Sequence, residues 1–403
     1  MSSPKGNAVI GQSGGPTSVI NQSLVGLIEA CMASDRVEGI YGAHRGIQGI
    51  LDEDFYDLSN ELPENLEGVA VTPCAALRSI RKKPTHDDCE RVLEVFQAHN
   101  VRYFFYIGGN DSAETALILN KVAVAEGYDI RLFHVPKTVD NDLLVTDHCP
   151  GYGSAARFVA LALMGDNEDN RSLPGIKVDV IMGRDAGWLT AASRLARTRE
   201  EDGPHLIYVP ERVFDMDSFL GDVEDAYKKY GRCLIAVSEG IHDAQGQLIA
   251  KSKETDAFGN QQLSGSGALG DQLVSQIKKL GDGLRVRADT FGYLQRSFFG
   301  IVSKLDCEEA REVGHAAVRF ATEGDAPHGS VVIQRDGEGM NYTPRYELAA
   351  IHEVARNTKV LEERYIVGDN GICESFLDYV APLVGELPHS TRLSAVRVPK
   401  KLE

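Results

Sequence analysis

Seven short apolar runs, each stopped by glycine or a polar turn, limit how this chain can fold. They are Asn7–Ile10, Tyr103–Ile107, Ile130–Val135, Ile176–Met182, Leu206–Val209, Leu234–Val237 and Leu284–Ala288. Each is too short for an ordinary helix and reads as a buried strand. Helical patterns lie between them, as at Cys89–Ala98 and Ser112–Ala125. Strand alternating with helix predicts an α/β fold with doubly wound, mostly parallel sheets. At 403 residues the chain is too long for one compact core, so two such domains are expected. Pro150-Gly151-Tyr152-Gly153 is a first boundary, and the polar stretch from about Leu387 reads as a fraying tail.

Charge narrows the partners. Lys and Arg number 42 against 59 Asp and Glu, a net charge of −17. That argues against nucleic acid or an anionic membrane surface as the main partner. No apolar run approaches the length of a membrane span, and Met1–Asn7 lacks the basic and apolar parts of a signal peptide. The seven cysteines have no metal-finger spacing and read as reduced residues of a cytoplasmic enzyme. Yet arginines stand inside glycine-rich motifs, and a basic pocket in an acidic protein points to a small anionic ligand.

The densest chemistry is Pro136-Lys137-Thr138-Val139-Asp140-Asn141-Asp142, just past the run that ends at Val135. Proline blocks further sheet pairing, and the end of a strand is where open α/β sheets bind ligands. One lysine cannot pair ideally with two carboxylates two residues apart. One carboxylate is then available to take a proton or to hold a metal ion through water. The same segment also reads as a polar turn in which Asp140 or Asp142 caps the next helix.

Glycine loops follow other strands. Gly11-Gln12-Ser13-Gly14-Gly15-Pro16-Thr17, leading into a helix near Ser18, has the form of an anion site, although it lacks the Gly-Lys-Ser/Thr ending of a P-loop. Gly108-Gly109-Asn110-Asp111-Ser112 lets a ligand approach the backbone, with Asp111 placed to hold a divalent cation or repel an anion. In Met182-Gly183-Arg184-Asp185-Ala186-Gly187-Trp188, Arg184 is placed to fork onto a phosphate, unless it forms a buried pair with Asp185. Glu239 ends another strand as a sugar-hydroxyl acceptor or a helix cap. Arg285, Arg287, Tyr293 and Arg296 fall within twelve residues, where interleaved glycine and aromatics favour a phosphate pocket. Gly265-Ser266-Gly267-Ala268-Leu269-Gly270 matches GxGxxG but follows the polar stretch 251–262. It reads as the entry to a helix over Asp271–Leu280, which excludes a dinucleotide dehydrogenase.

In this order, GGPTSVIN, GGNDS, PKTVDND, MGRDAGW, the Glu239 turn and FGYLQR resemble the phosphofructokinase family. They span about Gly11 to Arg296. Lys137 and Asp111 stand where the family's ATP-using branch commonly has glycine, and Tyr293 where it has histidine, so the chain resembles the pyrophosphate-dependent branch. The resemblance implies reversible phosphoryl transfer from pyrophosphate to the 1-hydroxyl of fructose 6-phosphate, with Mg²⁺. It implies Asp140 as general base, with Thr138 and Asp142 helping to hold sugar, metal or water, and Lys137 and Arg184 offsetting charge on the group in transfer. Gly14, Gly15 and Arg81 would hold the donor, and Asp111 would fill the space of a nucleotide's α-phosphate. Val139, Met182, Gly183, Glu239, Tyr293 and Arg296 would hold the sugar phosphate, with Arg287 reaching across a subunit boundary of a homodimer or homotetramer. Asn110 stands where the family usually has a Mg²⁺-binding aspartate, so Asn110 or Asp111 is expected at the metal. The implied donor domain is 1–151 and about 293–355, the sugar-phosphate domain 152–292 and about 356–386, and the tail 387–403. Two other readings are an ATP-dependent phosphofructokinase and a non-catalytic regulatory subunit.

Overall fold

In the computed structural model, which describes residues 3–250, 263–355 and 357–402, each of the seven apolar runs gives a strand. The polar stretch 251–262 lies outside the described residues. The chain begins with β1 (Gly6–Gln12), β2 (Val37–Ala43), β3 (Phe55–Asp57), β4 (Val101–Gly108) and β5 (Arg131–Pro136). It then builds a second sheet from β6 (Ile176–Ile181), β7 (Leu206–Tyr208), β8 (Cys233–Ser238) and β9 (Val286–Thr290). It returns to the first sheet with β10 (His328–Asp336) and β11 (Thr343–Ala349). The first sheet has the order β11-β10-β5-β4-β1-β2-β3, antiparallel only at its two outer pairs. The second, β7-β8-β6-β9, is wholly parallel.

Both faces of the first sheet are covered. Ile10 and Phe105 pack into one core, and Val9 and Phe104 into another on the opposite face. That double burial makes β1 and β4 unbroken apolar runs rather than alternating ones. The strand order places a topological switch point between β1 and β4, where a crevice opens at the carboxyl ends. In register, Gln12 lies beside Ile107 and Gly108 beside Pro136, so the two glycine loops and Lys137 leave the sheet at one level. In the second sheet Ile181 lies beside Ser238 and Val180 beside Thr290, which brings the loops at Gly183, Glu239 and Tyr293 together.

Two helix-packing details hold the frame. The 21-residue helix Tyr152–Ser172 starts at Gly151, whose φ of +106° excludes most side chains. Asp306 accepts from Gly151 N (2.8 Å) and Ser154 N (2.9 Å), supplying the capping oxygens that the sequence there lacks. Helices Ile20–Ala33 and Lys304–Glu323 meet at Gly26 and Gly314, with backbones too close for a Cβ. The tail expected to fray is pinned as far as Arg392. Arg199 Nη2 donates to Ser390 O (2.8 Å), and Arg392 pairs with Glu201 and Asp202.

A Cβ at Gly26 would lie 2.1 Å from the carbonyl oxygen of Arg311, backbone against backbone, so neither side can yield cheaply. Gly26→Ala is expected to cost about 1–3 kcal/mol through forced separation of the two helices. Denaturant titration measures this as a lower midpoint with unchanged slope.

Candidate active site

Pro136 ends β5, and the chain runs on without a helix until Tyr152. Neither Asp140 nor Asp142 therefore caps a helix, and the polar-turn reading falls. Lys137 donates its backbone N–H to Gly108 O (2.9 Å), and its buried ammonium donates to Gly15 O (2.6 Å). Val139 is buried in the core and leaves only its edge at the cavity. Thr138 Oγ1 accepts from Asp140 N (3.1 Å), and Asp142 accepts from Asn110 Nδ2 (3.1 Å). Both carboxylates face a cavity of about 420 Å³ lined also by Gly14, Gly15, Asn110, Asp111 and Arg81.

The glycine loops admit charge. Gly14 has φ +74°, and a Cβ on it would lie 3.2 Å from Lys137 Nζ. A Cβ on Gly15 would lie 2.8 Å from Arg296 Nη1 and 3.7 Å from Arg81 Nη2. Three cations thus converge where two side chains are missing. Gln12 and Asn21 bring Arg81 there: Gln12 Oε1 accepts from Leu77 N (2.9 Å) and Asn21 Oδ1 from Ala76 N (2.9 Å). The helix expected near Ser18 starts at Ile20 without a side-chain cap. The helix Asn110–Ala125 likewise follows Gly109 as its N-cap, with no side-chain cap. Its first-turn residues Asn110, Asp111 and Ser112 line the cavity.

The second sheet supplies the facing wall. A smaller cavity of about 150 Å³ shares Asp140, Asp142, Arg81, Arg184 and Arg296 with the larger one, and adds Glu239, Ser264 and Tyr293. Gly183, at φ +135°, donates to Glu239 Oε1 at 3.5 Å and turns the chain so that Met182 and Arg184 reach the wall. Arg184 does pair with Asp185 (2.9 Å), but both side chains are partly exposed, so the pair is not the buried one weighed above. Gln295 is buried; its Oε1 accepts from Met182 N (3.3 Å), tying the Tyr293–Arg296 turn to β6. The Arg296 guanidinium lies 4.4 Å from the Tyr293 ring centre. Arg287 stands apart on β9, donating to its neighbour's carbonyl and lining neither cavity of its own chain.

Several lining residues carried no sequence signal. Thr358 borders both cavities from a loop without a motif. Ser264 donates to Glu239 (2.6 and 2.8 Å) from the glycine-rich stretch set aside as a helix entry, which indeed leads into the helix Ala268–Ile277. Lys82 was legible only as the neighbour of Arg81.

Crowding moves the protons. Loss of hydration, then the Asp142 and Glu239 carboxylates, push Asp140 up to about 7. Loss of hydration also raises Asp142 and takes Glu239 to about 7. Burial, then Arg296 and Arg81, bring Lys137 down to about 7. A buried carboxylate and a buried ammonium both poised near neutrality suit proton exchange and charge stabilisation in one cleft. Asn110 Oδ1 and Asp140 Oδ1 are buried without a hydrogen-bond partner. Beside the Asp142 carboxylate, such hard oxygen atoms fit a small divalent cation. A carboxylate cluster elsewhere, Asp166, Asp179 and Asp289, already has a cation: Lys177 Nζ bonds Asp166 (2.7 Å) and Asp289 (2.8 Å).

A family model described as phosphofructokinase matches residues 7–321. The chain is 50% identical to the pyrophosphate--fructose 6-phosphate 1-phosphotransferase of Rhodospirillum rubrum, covering 99% of each protein. It is 39% identical to the protein of the same description from Halomonas elongata, over 98% of each. The crystal structure of a pyrophosphate-dependent phosphofructokinase from Nitrosospira multiformis superposes with a TM-score of 0.85 at 37% identity, covering 98% of each chain.

A Cβ at Gly15 would displace the tip of Arg296, a flexible side chain, and so spare the fold. Gly15→Ala is expected to weaken pyrophosphate binding roughly tenfold, the loss of about one charge-assisted hydrogen bond. Calorimetric titration reads the affinity, and an unchanged thermal midpoint separates this from unfolding.

Proposed function

The chain belongs to the phosphofructokinase family, and from that premise we infer that its cleft transfers a phosphoryl group reversibly between pyrophosphate and fructose 6-phosphate. It is a phosphotransferase of glycolysis and its reversal. The observation that carries the mechanism is that Lys137 and Asp140, both shifted toward neutrality, line the larger cavity together, with Asp140 also lining the smaller one.

Fructose 6-phosphate lies in the smaller cavity, its phosphate toward Arg296 and Tyr293 and its hydroxyls toward Glu239 and the Met182–Gly183 turn. Pyrophosphate lies in the larger one, over Gly14, Gly15 and Arg81. The Asp140 carboxylate takes the proton of the 1-hydroxyl, and that oxygen attacks the nearer phosphorus in line. The bridging P–O bond breaks and inorganic phosphate leaves. Lys137 and Arg184 sit beside the oxygens on which charge gathers. In reverse, protonated Asp140 returns its proton to the sugar oxygen. Mg²⁺, when bound, neutralises pyrophosphate oxygens; Asn110 Oδ1 and the Asp142 carboxylate would hold it, with exposed Asp111 at the rim. Asp111 also sets a negative charge where a longer polyphosphate chain would extend, which disfavours a nucleotide.

The first sheet with its returning strands β10 and β11 forms the donor domain in this reading, and the second sheet the sugar-phosphate domain. Arg287, exposed and clear of its own cleft, supports a homo-oligomer in which it completes a neighbour's site. Seven unpaired cysteines support a reducing, cytoplasmic setting. No helix among the described residues is long and apolar enough to cross a membrane.

With fructose 6-phosphate and Mg²⁺, product is expected from pyrophosphate and not from ATP. Activity with ATP alone would overturn the roles of Lys137 and Asp111. Asp140 must be ionised and Lys137 protonated. The forward kcat/KM is therefore expected to fall below pH 7 as Asp140 gains its proton, and above pH 7 as Lys137 loses its own. Lys137→Arg keeps a charge that does not titrate, so the alkaline limb should move up while the acid limb stays.

A further inference from the structure

Burial alternates through the segment that carries the acids. Val139, Asn141 and Leu143 are buried, at 6%, 0% and 0% exposure, while Asp140 and Asp142 look into the cleft. Asn141 is thus the hinge between the two carboxylates and points away from both. Its backbone has φ +56°, a conformation that asparagine tolerates and most residues do not.

The Asn141 side chain is used at both ends. Its Oδ1 accepts from Cys149 N (3.1 Å), and its Nδ2 donates to Tyr379 Oη (2.8 Å). Because a backbone N–H can only donate, the amide has one orientation. Tyr379 Oη in turn donates to Asp147 O (2.9 Å). Asn141 therefore clasps the loop 141–149 shut, and the tyrosine that completes the clasp comes from the helix Ser375–Val384. That tyrosine is itself immobilised. Arg335 forks onto Asp147 (2.9 Å twice), lies 4.7 Å from the Tyr379 ring centre and donates to Tyr379 O (3.1 Å). His148 lies buried between Asp147 (2.8 Å) and Glu309 (2.6 Å). A rigid charged network thus stands behind the loop. It reaches the cleft through the neutral Asn141–Tyr379 contact, and through Lys359, whose N–H donates to Asp142 O (2.8 Å) and whose ammonium donates to Thr146 O and Asp147 O.

We infer that Asn141 and Tyr379 are positioning residues, whose hydrogen bond holds Asp140 and Asp142 side by side in the cleft against their mutual repulsion. This rests on the reading of Asp140 as the base. Neither residue lines the cavities, so their loss acts through the carboxylates and not through substrate contacts.

Tyr379→Phe keeps the ring and its packing and removes only the hydroxyl. Asn141→Gly keeps the backbone conformation and removes the amide. With pyrophosphate and fructose 6-phosphate as substrates, kcat is expected to fall about tenfold in the first and about 100-fold in the second, the scale of a misplacement near 1 Å. KM for both substrates should stay within about twofold, since ground-state contacts are spared. The double variant should lose no more than Asn141→Gly alone, because Tyr379 reaches the carboxylates through Asn141. Retention of kcat in folded Tyr379→Phe, with only a lower thermal midpoint, would overturn the inference. So would losses that multiply in the double variant. Should Asn141→Gly fail to fold, Tyr379→Phe decides by itself. Asp140→Asn is the control: if it stays active, the reading of the base fails, whatever the Asn141 results.

Discussion

Mutual repulsion among like charges is the condition that the rest of the cleft is built to withstand. Lys137, Arg81 and Arg296 approach one another across Gly14 and Gly15. Asp140, Asp142 and Glu239 crowd the opposite side. Neither group would gather in a flexible chain, since each desolvated charge raises the cost of the next. Both are held by neutral anchors: the Gly15 carbonyl for Lys137, Asn110 for Asp142, and the Gln12–Asn21 pair for the segment that carries Arg81. In the proposed reaction an anion over Gly14 and Gly15 would offset the positive charge gathered there.

The two sheets divide this labour. Parallel strands end together at one level, so the loops at Gly14, Asn110, Lys137, Gly183, Glu239 and Tyr293 all leave from carboxyl ends, while the Arg81 segment follows a helix. The Asp140–Asp142 segment after β5 comes to face Arg184 and Glu239 because two such ends are set against one another. The chain crosses between the sheets and back, which lets Gln295 tie the Arg296 turn to β6 while Ser18 Oγ donates to Arg296 O at 3.3 Å. Arg296 is thus fixed from both sheets.

The fold was largely legible because strands buried on both faces leave continuous apolar runs. β1, β4, β5, β6 and β8 are of this kind. β2 and β11 have one exposed or half-covered face and mix polar with apolar residues, so they escape a reading based on runs. β10 is buried at Ser330–Ile333, but serine and glycine interrupt its start. In the site, motif residues were legible because phosphate chemistry needs glycine and arginine beside strand ends. Ser264 and Thr358 have no such mark; they belong to the cleft because of where distant loops dock.

By itself the sequence determined the α/β class, the order of strand and helix, and the loops that carry charge. Those follow from local periodicity and from the backbone freedom of glycine. Only the tertiary structure decided which loops meet, which way each carboxylate faces, and how far its proton affinity moves. Asn141 shows the difference. As one letter between two aspartates it is a polar residue in a turn. Its contact with Tyr379 spans 238 positions and makes it the clasp of the loop, because hydrogen bonds and desolvation depend on distance in space and not along the chain.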